Sequence, residues 1–323
     1  MKAVLLAAGK GTRLLPISDF ISKQMMPIAG KFLLEYIIED LVDSGFDELC
    51  LVIGHLGHQI KDHFGNGDKF NAKIQYITQN EQLGTANALQ YAKQFVGTDT
   101  FLVYLSDTII PKGLNPHIKN ILNDKSDVNI LSANVPNNQI SEVGTIQVEK
   151  YGYVEQINEK SQKSTSSLAW AGLGLFKSNF IFKMIETMQP SARGEYEITD
   201  AINKMITNRK KVKNHICSEF LDAGTSKGLK KTFNFILEQR HNDCCLGKQE
   251  FEKSESISPI HIGKNFQIGK NSIVGPMISI GNNVNIGNNV VLKDAIVLND
   301  TSIESDQIIS NCIISNHGKV ILE

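Results

Sequence analysis

The sequence lacks the features that would assign it to several special classes of protein. Its 323 residues include 33 lysines and arginines against 34 aspartates and glutamates, a formal net charge of −1. A chain with so little excess of either charge shows no sign of a nucleic-acid or membrane-surface partner. The apolar run at residues 3–8 follows a single lysine and is too short for a signal-peptide core or a transmembrane span. We therefore expect a cytoplasmic protein.

Cysteine is also scarce, and its spacing excludes two kinds of cross-link. The five cysteines are odd in number and include no C-x-x-C pair: Cys50, Cys217, Cys244, Cys245 and Cys312. They support neither a disulfide framework nor a zinc site, so we interpret them as buried or incidental thiols. With 41% hydrophobic residues, the chain is long enough to bury a sizeable core and to divide into two domains.

The N-terminal part of the chain alternates short β-rich apolar runs with helical patterns. Strands are predicted at residues 4–7, 49–53, 73–78, 101–105 and 128–133. Between the first two strands, apolar residues at i, i+3, i+4 and i+7 predict a helix lying on a core: Leu34, Ile37, Ile38 and Leu41. This alternation predicts a mostly parallel sheet covered by helices. Ligands of such sheets bind beyond the carboxyl ends of the strands, so the loops after Ala7, Ile77 and Leu105 are the candidates.

The last quarter of the chain repeats with a period of six. Aliphatic residues recur at Ile262, Ile268, Val274, Ile280, Ile286, Leu292 and Leu298, and glycine follows the first five. A second small or apolar residue recurs four positions later, from Phe266 through Ile296 to Ser302. A six-residue period is too short for a helical solenoid and predicts a parallel β-helix with three hexads in each coil. The phase slips by one residue at Ile303, and the polar segment 241–256 is typical of a linker.

The loop after the first strand contains the glycines of a candidate phosphate site. Gly9 and Gly11 would let the backbone approach a phosphate closely and present its N–H groups. Two familiar patterns do not fit, because Gly11 follows Lys10 directly and Leu14 stands where a third glycine would belong. Taken alone, G-x-G after a strand is as typical of a structural turn as of a site. The neighbouring residues favour a site: Thr12, Arg13, Pro16, Lys23 and Pro27.

Those residues also support a resemblance to a known family. G-x-G-T-R-L-x-P followed by S-K-x-x-x-P-I resembles the signature of the sugar-phosphate nucleotidyltransferases. Further similar segments are QNEQLGTANAL (79–89), YLSDT (104–108), NEKS (158–161), PSARGEYEITDAI (190–202) and FLDAGT (220–225). The resemblance covers the chain to about residue 240 and leans toward long-form glucose-1-phosphate thymidylyltransferases. It implies a Rossmann-like domain at 1–240, the linker at 241–256, and a left-handed β-helix of hexapeptide repeats at 257–323.

The resemblance also implies roles for individual residues. Arg13 and Lys23 would be catalytic, with the arginine on a nucleoside triphosphate and the lysine on the reacting phosphates. The nucleotide-binding set would be Leu6, Ala8, Gly9, Gly11, Thr12, Arg13, Gln79, Gly84 and Thr85. A sugar phosphate would meet Gly144, Glu159, Lys160 and Gly172, and Asp107 and Asp222 would hold Mg²⁺. Joining two anions demands fixed cations and positioning more than a nucleophile of the enzyme's own, which agrees with this set.

Four positions depart from the family pattern. Ser106 replaces the glycine before the metal-binding aspartate, Ser161 the proline of E-K-P, and Phe220 a tryptophan. Gly174 stands where an aromatic residue is common. None of these changes removes a charge from the reaction, so they bear on the identity of the sugar rather than on the reaction type.

The leading expectation is Mg²⁺-dependent transfer from dTTP to glucose 1-phosphate, which gives dTDP-glucose and pyrophosphate. UTP–glucose-1-phosphate uridylyltransferase, or transfer to another sugar 1-phosphate, is the nearest alternative. A bifunctional enzyme with acetyl-CoA-dependent acyltransferase activity would use His261 or His317, the only histidines of the tail. A non-catalytic regulatory homologue is a further alternative. We also expect a homo-oligomer that assembles partly through residues 257–323, because a short β-helix leaves an open end and aliphatic sides.

Overall fold

Two compact units, each formed from two separated stretches of sequence, make up the chain. The computed structural model describes residues 1–161, 164, 166–177, 179–239, 251 and 253–322. The first unit combines Met1–Gly9 with Ile37–Phe220, and the second combines Lys10–Tyr36 with Leu221–Glu323. Residues 10–36 and helix α8 (Ser226–Gln239) therefore belong to the same compact unit as the C-terminal repeats. Most of the expected linker, residues 241–250 and 252, lies outside the described residues.

The five predicted strands and the predicted helix before the repeats correspond to β1, β4, β5, β6, β8 and α1 below, and the other elements were not predicted individually. The strands are β1 (Lys2–Ala7), β2 (Pro27–Ile28), β3 (Lys31–Phe32), β4 (Glu48–Ile53), β5 (Lys73–Thr78), β6 (Phe101–Leu105), β7 (Thr108–Ile109), β8 (Val128–Asn134), β9 (Gly144–Val148), β10 (Val154–Glu159), β11 (Leu168–Phe176), β12 (Val212–Ile216) and β13 (Leu221–Asp222). The helices before α8 are α1 (Leu33–Asp43), α2 (Gly57–Phe64), α3 (Thr85–Tyr91), α4 (Lys93–Val96), α5 (Asn115–Asn123), α6 (Phe180–Glu186) and α7 (Ile198–Thr207).

The predicted parallel sheet forms the first part of the first unit. β1 pairs in parallel with β4 and β6, and β4 pairs in parallel with β5. Val4, Leu5 and Leu51 are fully buried, as expected for strands that are covered on both faces. The predicted helix stripe at 34–41 is confirmed, since its four apolar residues are at most 1% exposed.

The second part of this sheet turns antiparallel at β11. This long strand pairs antiparallel with β6, β8 and β9, and β9 continues to β10. Its register shifts between Trp170 and Gly174, and the Trp170 indole N–H donates to the carbonyl of Leu173 at 2.8 Å across the shift. Trp170 is 7% exposed, so this single tryptophan is a core residue that stabilises the irregular strand.

The C-terminal repeats form the parallel coils that the six-residue period predicts. Their strands are β14 (Glu255–Ser256), β15 (Ile260–Ile262), β16 (Gln267–Ile268), β17 (Ile273–Val274), β18 (Ile278–Ile280), β19 (Asn285–Ile286), β20 (Val291–Val297), β21 (Ser302–Ile303), β22 (Ile308–Ser315) and β23 (Gly318–Ile321). Ile260 lies beside Ile278, and Gln267 beside Asn285, so the first coil consists of three hexads, as predicted. The final pair, β22 and β23, is antiparallel and ends the stack.

The position of the phase slip differs from the prediction. Val291 still pairs with Ile273 at the full spacing of three hexads, but Ala295 pairs with Ile278, which is one position short of that spacing. The residue is therefore lost at the Lys293–Asp294 corner, well before the predicted slip at Ile303. As a result Ala295 and Thr301 take the buried places that the uninterrupted hexads assign to Ile296 and Ser302.

The consensus G-x-N of the repeats follows from the close stacking of the coils. A Cβ on Gly281 would lie 2.3 Å from Oδ1 and 2.7 Å from the backbone nitrogen of Asn299 in the next coil. Two residues later, Asn283 has a φ of 58°, a conformation that asparagine tolerates better than most residues. Its side-chain amide donates to Asp300 at 2.8 Å and accepts from Asn265 at 2.9 Å, which links three coils.

Three of the five cysteines lie in the core. Cys50, Cys217 and Cys312 are buried free thiols, and burial raises the pKa of Cys50 to about 12. Cys244 and Cys245 lie outside the described residues. None of the described helices combines the length and apolar content needed to cross a membrane.

The corrected phase predicts a large effect on stability for a substitution at one position and almost none for the same substitution at the next. Thr301 is fully buried, and its hydroxyl donates to the carbonyl of Leu298 at 2.7 Å, whereas Ser302 is exposed. Thr301→Asp should therefore lower the free energy of unfolding by about 3 kcal/mol or more, because it buries a carboxylate. Ser302→Asp should change it by less than about 0.5 kcal/mol. Urea unfolding of the two variants measures both changes in free energy. If Ser302→Asp were the more destabilising substitution, the uninterrupted hexad phase would be correct.

Candidate active site

The carboxyl ends of four parallel strands form one edge of the sheet in the first unit. Ala8 and Gly9 follow β1, Gly54 follows β4, Gln79 follows β5, and Ser106 and Asp107 follow β6. Parallel pairing of these strands places their loops side by side, where ligands of such sheets bind. The structure therefore groups the predicted residues Leu6, Ala8, Gly9, Gln79 and Asp107 along this edge.

Two residues that the sequence analysis did not single out fix the backbone at Ala8. The side-chain amide of Gln82 donates to the carbonyl of Ala8 at 2.8 Å. A Cβ on Gly54 would lie 2.6 Å from that carbonyl oxygen and 2.8 Å from the amide nitrogen of Gln82. Glycine at position 54 thus leaves room for the bond that joins the first loop to the QNEQLGTA segment. The position of Gly54 directly after a predicted strand was the sequence signal that could have identified it.

Ser106 gives a structural reason for one departure from the family pattern. Its hydroxyl donates to the carbonyl of Leu6 at 2.7 Å, and its side chain is 1% exposed. The serine therefore joins the end of β6 to β1 directly beside the partly exposed Asp107. A glycine at this position could not make that bond.

Gln79 is held by the protein on its nitrogen side. The residue is 5% exposed, and its side-chain amide donates to Oδ1 of Asn87 at 2.7 Å and to the carbonyl of Gly84 at 3.4 Å. These bonds connect the end of β5 to the first turn of α3. The expected contact of Gln79 with a pyrimidine base stays a prediction, and the same side chain also holds the turn that carries Gly84 and Thr85.

The glycine of L-G-T-A is required by a neighbouring backbone. Gly84 has a φ of 113°, and a Cβ there would lie 2.6 Å from the carbonyl oxygen of Tyr196. Around this contact the Tyr196 N–H donates to Leu83, and the Ala86 N–H donates to Tyr196, both at 2.8 Å. The Ile198 N–H donates to the hydroxyl of Thr85 at 3.0 Å. Two of the matched segments, 79–89 and 190–202, are therefore hydrogen-bonded together.

The second of these segments supplies an arginine between two carboxylates. Arg193 is ion-paired with Glu197, and its Nη2 lies 3.6 Å from Oε1 of Glu159. The hydroxyl of Thr199 donates to Oε2 of Glu159 at 3.2 Å. The side chains of Glu197 and Glu159 are 6% and 19% exposed, against 38% for Arg193. The sequence analysis matched this segment to the family but named none of Arg193, Glu197 and Thr199.

Burial and like charges shift the titration of this cluster. Burial raises the pKa of Glu197 above its ordinary value, and the nearby Glu159 adds to the rise, although the hydrogen bond from Arg193 opposes it. Burial also raises the pKa of Asp200, with a further contribution from Glu197. Burial alone would lower the pKa of Arg193, but its hydrogen bond and ion pair with Glu197 raise it overall. The cluster is thus acidic, and the nearby cations Arg193 and Lys160 partly offset its charge.

The predicted sugar-phosphate residues fall into two places. Gly144 lies opposite Glu159 in the β9–β10 pair, and a Cβ there would lie 2.9 Å from Oε2 of Glu159. The ammonium of Lys160 lies 3.8 Å from Oε1 of the same residue, so these three residues are brought together. Gly172 instead lies within β11 with a φ of 71°, and a Cβ there would meet the side chain of Leu105 at 3.0 Å. Packing against Leu105 therefore accounts for the glycine at position 172.

Residues 10–36 of the second unit form the remainder of the candidate phosphate loop. Gly11 has a φ of 66° and accepts from the N–H of Leu14 at 2.8 Å, which begins a single 3₁₀ turn at Thr12–Leu14. A Cβ on Gly11 would lie 3.5 Å from Cβ of Lys23, so the stem of the lysine packs beside this glycine. Thr12 and Arg13 are exposed in the same loop.

Asp222 belongs to a helix-capping segment of the second unit. Its Oδ1 accepts from the N–H of Gly224 at 2.7 Å, and the Thr225 hydroxyl accepts from the N–H of Gly228 at 3.0 Å, which caps α8. A Cβ on Gly228 would lie 1.7 Å from the carbonyl oxygen of Asp222. The turn at Asp222 and the cap of α8 therefore account for much of the L-D-A-G-T motif.

The Mg²⁺ ion expected at Asp107 and Asp222 stays a prediction, which the chemistry of these side chains allows. Among the described residues there is no cluster of three or more histidine, cysteine, aspartate or glutamate side chains suited to a metal. Mg²⁺ commonly takes one or two protein carboxylates and completes its octahedron with water and phosphate oxygens. Asp107 and Asp222 offer that kind of oxygen donor, so the chemistry of the donor set agrees with the expected ion.

Comparison with known families now assigns the chain. The model of the nucleotidyl transferase family matches residues 2–239, and that of the GMPPB C-terminal domain matches residues 256–321. The chain belongs to the nucleotidyl transferase family. It is 35% identical over 242 residues to the low-salt glycan biosynthesis nucleotidyltransferase Agl11 of Haloferax volcanii, a match that covers 74% of this chain and 67% of that protein.

Relatives within the family act on different nucleotides. A glucose-1-phosphate thymidylyltransferase of Streptomyces griseus is 31% identical over 245 residues, which cover 76% of this chain and 68% of that enzyme. The UTP–glucose-1-phosphate uridylyltransferase AglF of Haloferax volcanii is 34% identical over 206 residues, which cover 64% of this chain and 84% of that enzyme. A Bacillus anthracis crystal structure, described as a glucose-1-phosphate thymidylyltransferase with sucrose, superposes with a TM-score of 0.67 and 28% identity. It covers 77% of this chain and 98% of that one.

The acidic cluster around Glu197 and Glu159 should make the stability lost on removing Arg193 depend on pH. Arg193→Ala should lower the free energy of unfolding by about 1–3 kcal/mol at pH 8, because it leaves the carboxylate of Glu197 buried without a partner. Glu197 would then bind a proton in the folded state at a higher pH than in the unfolded state, so the deficit should shrink as the pH falls toward about 5.

Denaturant unfolding across that pH range measures the deficit. The matched control is the double variant Arg193→Ala/Glu197→Gln, which lacks the buried charge and should recover most of the stability. A deficit that stays constant with pH, or persists in the double variant, would show that Arg193 contributes through packing alone.

Proposed function

We propose that this nucleotidyltransferase transfers a thymidylyl group from dTTP to glucose 1-phosphate and forms dTDP-glucose and pyrophosphate. One observation carries the proposal most directly: Gly11 adopts a left-handed backbone conformation and packs against the stem of Lys23, with Thr12 and Arg13 exposed in the same loop. A loop of this kind presents backbone N–H groups and fixed cations to phosphate. The similarity to the Streptomyces griseus thymidylyltransferase supports the choice of base and sugar.

In this proposal the reaction is an in-line displacement at the α-phosphorus of dTTP. A phosphate oxygen of glucose 1-phosphate forms the new P–O bond, and the bond from the α-phosphorus to the bridging oxygen of the β-phosphate breaks. Pyrophosphate leaves with the electron pair. Arg13 binds the departing phosphates, and Lys23 neutralises the charge that develops around the α-phosphorus, so both favour the transition state over the separated anions.

Mg²⁺ would be held by Asp107 and Asp222. When bound, the ion neutralises phosphate oxygens and orients the reacting groups. The two aspartates also place negative charge where a metal-free triphosphate would be repelled, so we expect the nucleotide to bind as its magnesium complex.

We assign the acceptor side to the cluster around Glu159. Its carboxylate would accept hydrogen bonds from sugar hydroxyls, and Lys160 would lie near the phosphate of the sugar. Arg193 offsets the negative charge of Glu159 and Glu197, which reduces the electrostatic repulsion of the sugar phosphate. Gly144 lacks the side chain that would otherwise meet Glu159 at 2.9 Å.

The main alternative is transfer of a uridylyl group. The relative AglF is a UTP–glucose-1-phosphate uridylyltransferase at 34% identity, and thymine differs from uracil by a single methyl group. Both tail histidines pack against residues 10–36, which argues against a second acyltransferase activity that would use them. We also propose a homo-oligomer formed through the C-terminal repeats, which the exposed side chains of Ile308 (81%) and Ile321 (50%) support.

The decisive experiment is a substrate panel with pyrophosphate release as the readout. The purified protein is incubated with dTTP, UTP, CTP, GTP or ATP against several sugar 1-phosphates, and we expect the highest kcat/KM for dTTP with glucose 1-phosphate. Activity should disappear after dialysis against EDTA and return with Mg²⁺. A preference for UTP would establish the uridylyl alternative, and turnover without any divalent ion would remove the metal from the proposal.

The two loop cations give a separate prediction. Lys23→Ala and Arg13→Ala should each lower kcat/KM by about 10²-fold or more, because each removes a fixed charge that stabilises the transition state. Lys183→Ala, which removes an exposed lysine from α6, is the matched control and should leave kcat/KM unchanged. Circular dichroism would check that all three variants are folded. Near-normal rates for both loop variants would place the phosphate site elsewhere.

A further inference from the structure

The C-terminal repeats contact the candidate phosphate loop on both sides of Lys23. All of these contacts lie within the second unit, which contains residues 10–36 together with the β-helix. On the N-terminal side they involve Pro16 and Phe20, and on the C-terminal side they involve Ala29 and Gly30. None of them is made by a residue to which the proposed function assigns a role.

The N-terminal contact is an aromatic stack on the β22–β23 hairpin. The rings of Phe20 and His317 are stacked with centroids 4.1 Å apart and an interplanar angle of 11°. Next to His317, a Cβ on Gly318 would lie 3.0 Å from Cγ of Pro16, so the hairpin backbone approaches the loop closely. Phe20 lies between Arg13 and Lys23 in the sequence, and the stack therefore holds the segment that joins the two cations.

The C-terminal contact involves the coils of β15 and β18. The N–H of Ala29 donates to the hydroxyl of Ser279 at 3.0 Å, and Ser279 is 2% exposed. Gly30 has a φ of 81°, and a Cβ there would lie 2.5 Å from Cε1 of His261. A side chain at position 30 would therefore displace the His261 ring, and glycine lets the loop rest on the repeats.

The part of the loop that carries Arg13 and Lys23 contains little regular structure. Residues 10–26 form single 3₁₀ turns at Thr12–Leu14, Ile17–Asp19 and Lys23–Met25, and only then does Pro27–Ile28 pair with Lys31–Phe32. Isolated turns of this length are not stable on their own, because each fixes several residues for one or two hydrogen bonds. The geometry of the loop must come from what it packs against, and within its unit that includes the hairpin and the coils.

We propose that the C-terminal repeats position the phosphate loop for nucleotidyl transfer, with His317 as a positioning residue that acts through Phe20. The proposal rests on the proposed function, since it assigns the repeats to the same reaction. The tail thus contributes no group that touches substrate, but it sets where Arg13 and Lys23 present their charges. Catalysis is sensitive to displacements of about 1 Å in such groups, so loss of the stack should be visible in the rate.

The test compares three full-length variants with the wild type. His317→Ala removes the ring, His317→Phe keeps a ring that can stack, and Lys319→Ala changes an exposed residue of the same hairpin. We expect His317→Ala to lower kcat by about 5- to 30-fold with a smaller change in the KM for the sugar phosphate. His317→Phe should stay within about twofold of the wild type, and Lys319→Ala should be indistinguishable from it.

Hydrogen–deuterium exchange gives a readout that does not depend on activity. In His317→Ala, exchange should increase in peptides covering residues 10–31 and stay unchanged in residues 257–300. An equal increase across the repeats would overturn the proposal, because it would mean that His317 only stabilises the β-helix. Wild-type kcat together with wild-type exchange in His317→Ala would also overturn it.

A double-mutant cycle shows whether His317 acts through Phe20. Phe20→Ala and His317→Ala should be non-additive, with the double variant no slower than the slower single variant. Fully additive losses would overturn the assigned route. If wild-type protein releases no pyrophosphate with any substrate pair, the proposed function fails, whereas the exchange experiment still decides whether the repeats hold the loop.

Discussion

The central strand β1 is the constraint on which the first unit depends. Its parallel hydrogen bonds to β4 and β6 fix which residues emerge at the carboxyl edge of the sheet. A shift of one residue in either pairing would turn every side chain of the shifted strand to the opposite face. Two polar side chains reinforce the end of β1: Ser106, after the neighbouring β6, bonds to Leu6, and Gln82, after β5, bonds to Ala8. The backbone is thus held at the point where the candidate site begins.

The matched motifs illustrate how the same residues can serve structure and chemistry together. Gly84 accommodates the backbone of Tyr196, Gln79 holds the turn before α3, and Asp222 closes a turn before α8. A motif in this family is therefore more than a set of ligands, since part of it records how neighbouring segments pack. Arg193 belongs to this group as well, because its charge compensates the carboxylates of Glu159 and Glu197.

Much of the fold could be predicted from sequence because its signals are local. The apolar runs of β1, β4 and β6 and the stripe at Leu34–Leu41 are visible as periodicity, and membership of the family followed from contiguous motifs. The association of residues 10–36 with the repeats could not be predicted, because it depends on contacts such as Phe20 with His317 that join opposite ends of the chain. Gly54 and Gln82 were missed for the same reason, as their roles exist only against the carbonyl of Ala8. The sequence analysis placed the phase slip too late, at Ile303. Several aliphatic residues follow one another near Ile296, so both the uninterrupted and the shifted hexads bury an apolar residue there.

The shortened coil also indicates where chains of this kind can change length. The missing residue falls at a corner, where Asp294 has a φ of 49°, and pairing resumes at once with Ala295 beside Ile278. A deletion within a strand would instead exchange inward and outward side chains along the rest of that side. Corners of the β-helix are therefore the sites at which single-residue insertions and deletions can accumulate without disturbing the stacked core, and the three sides need not stay equal in length.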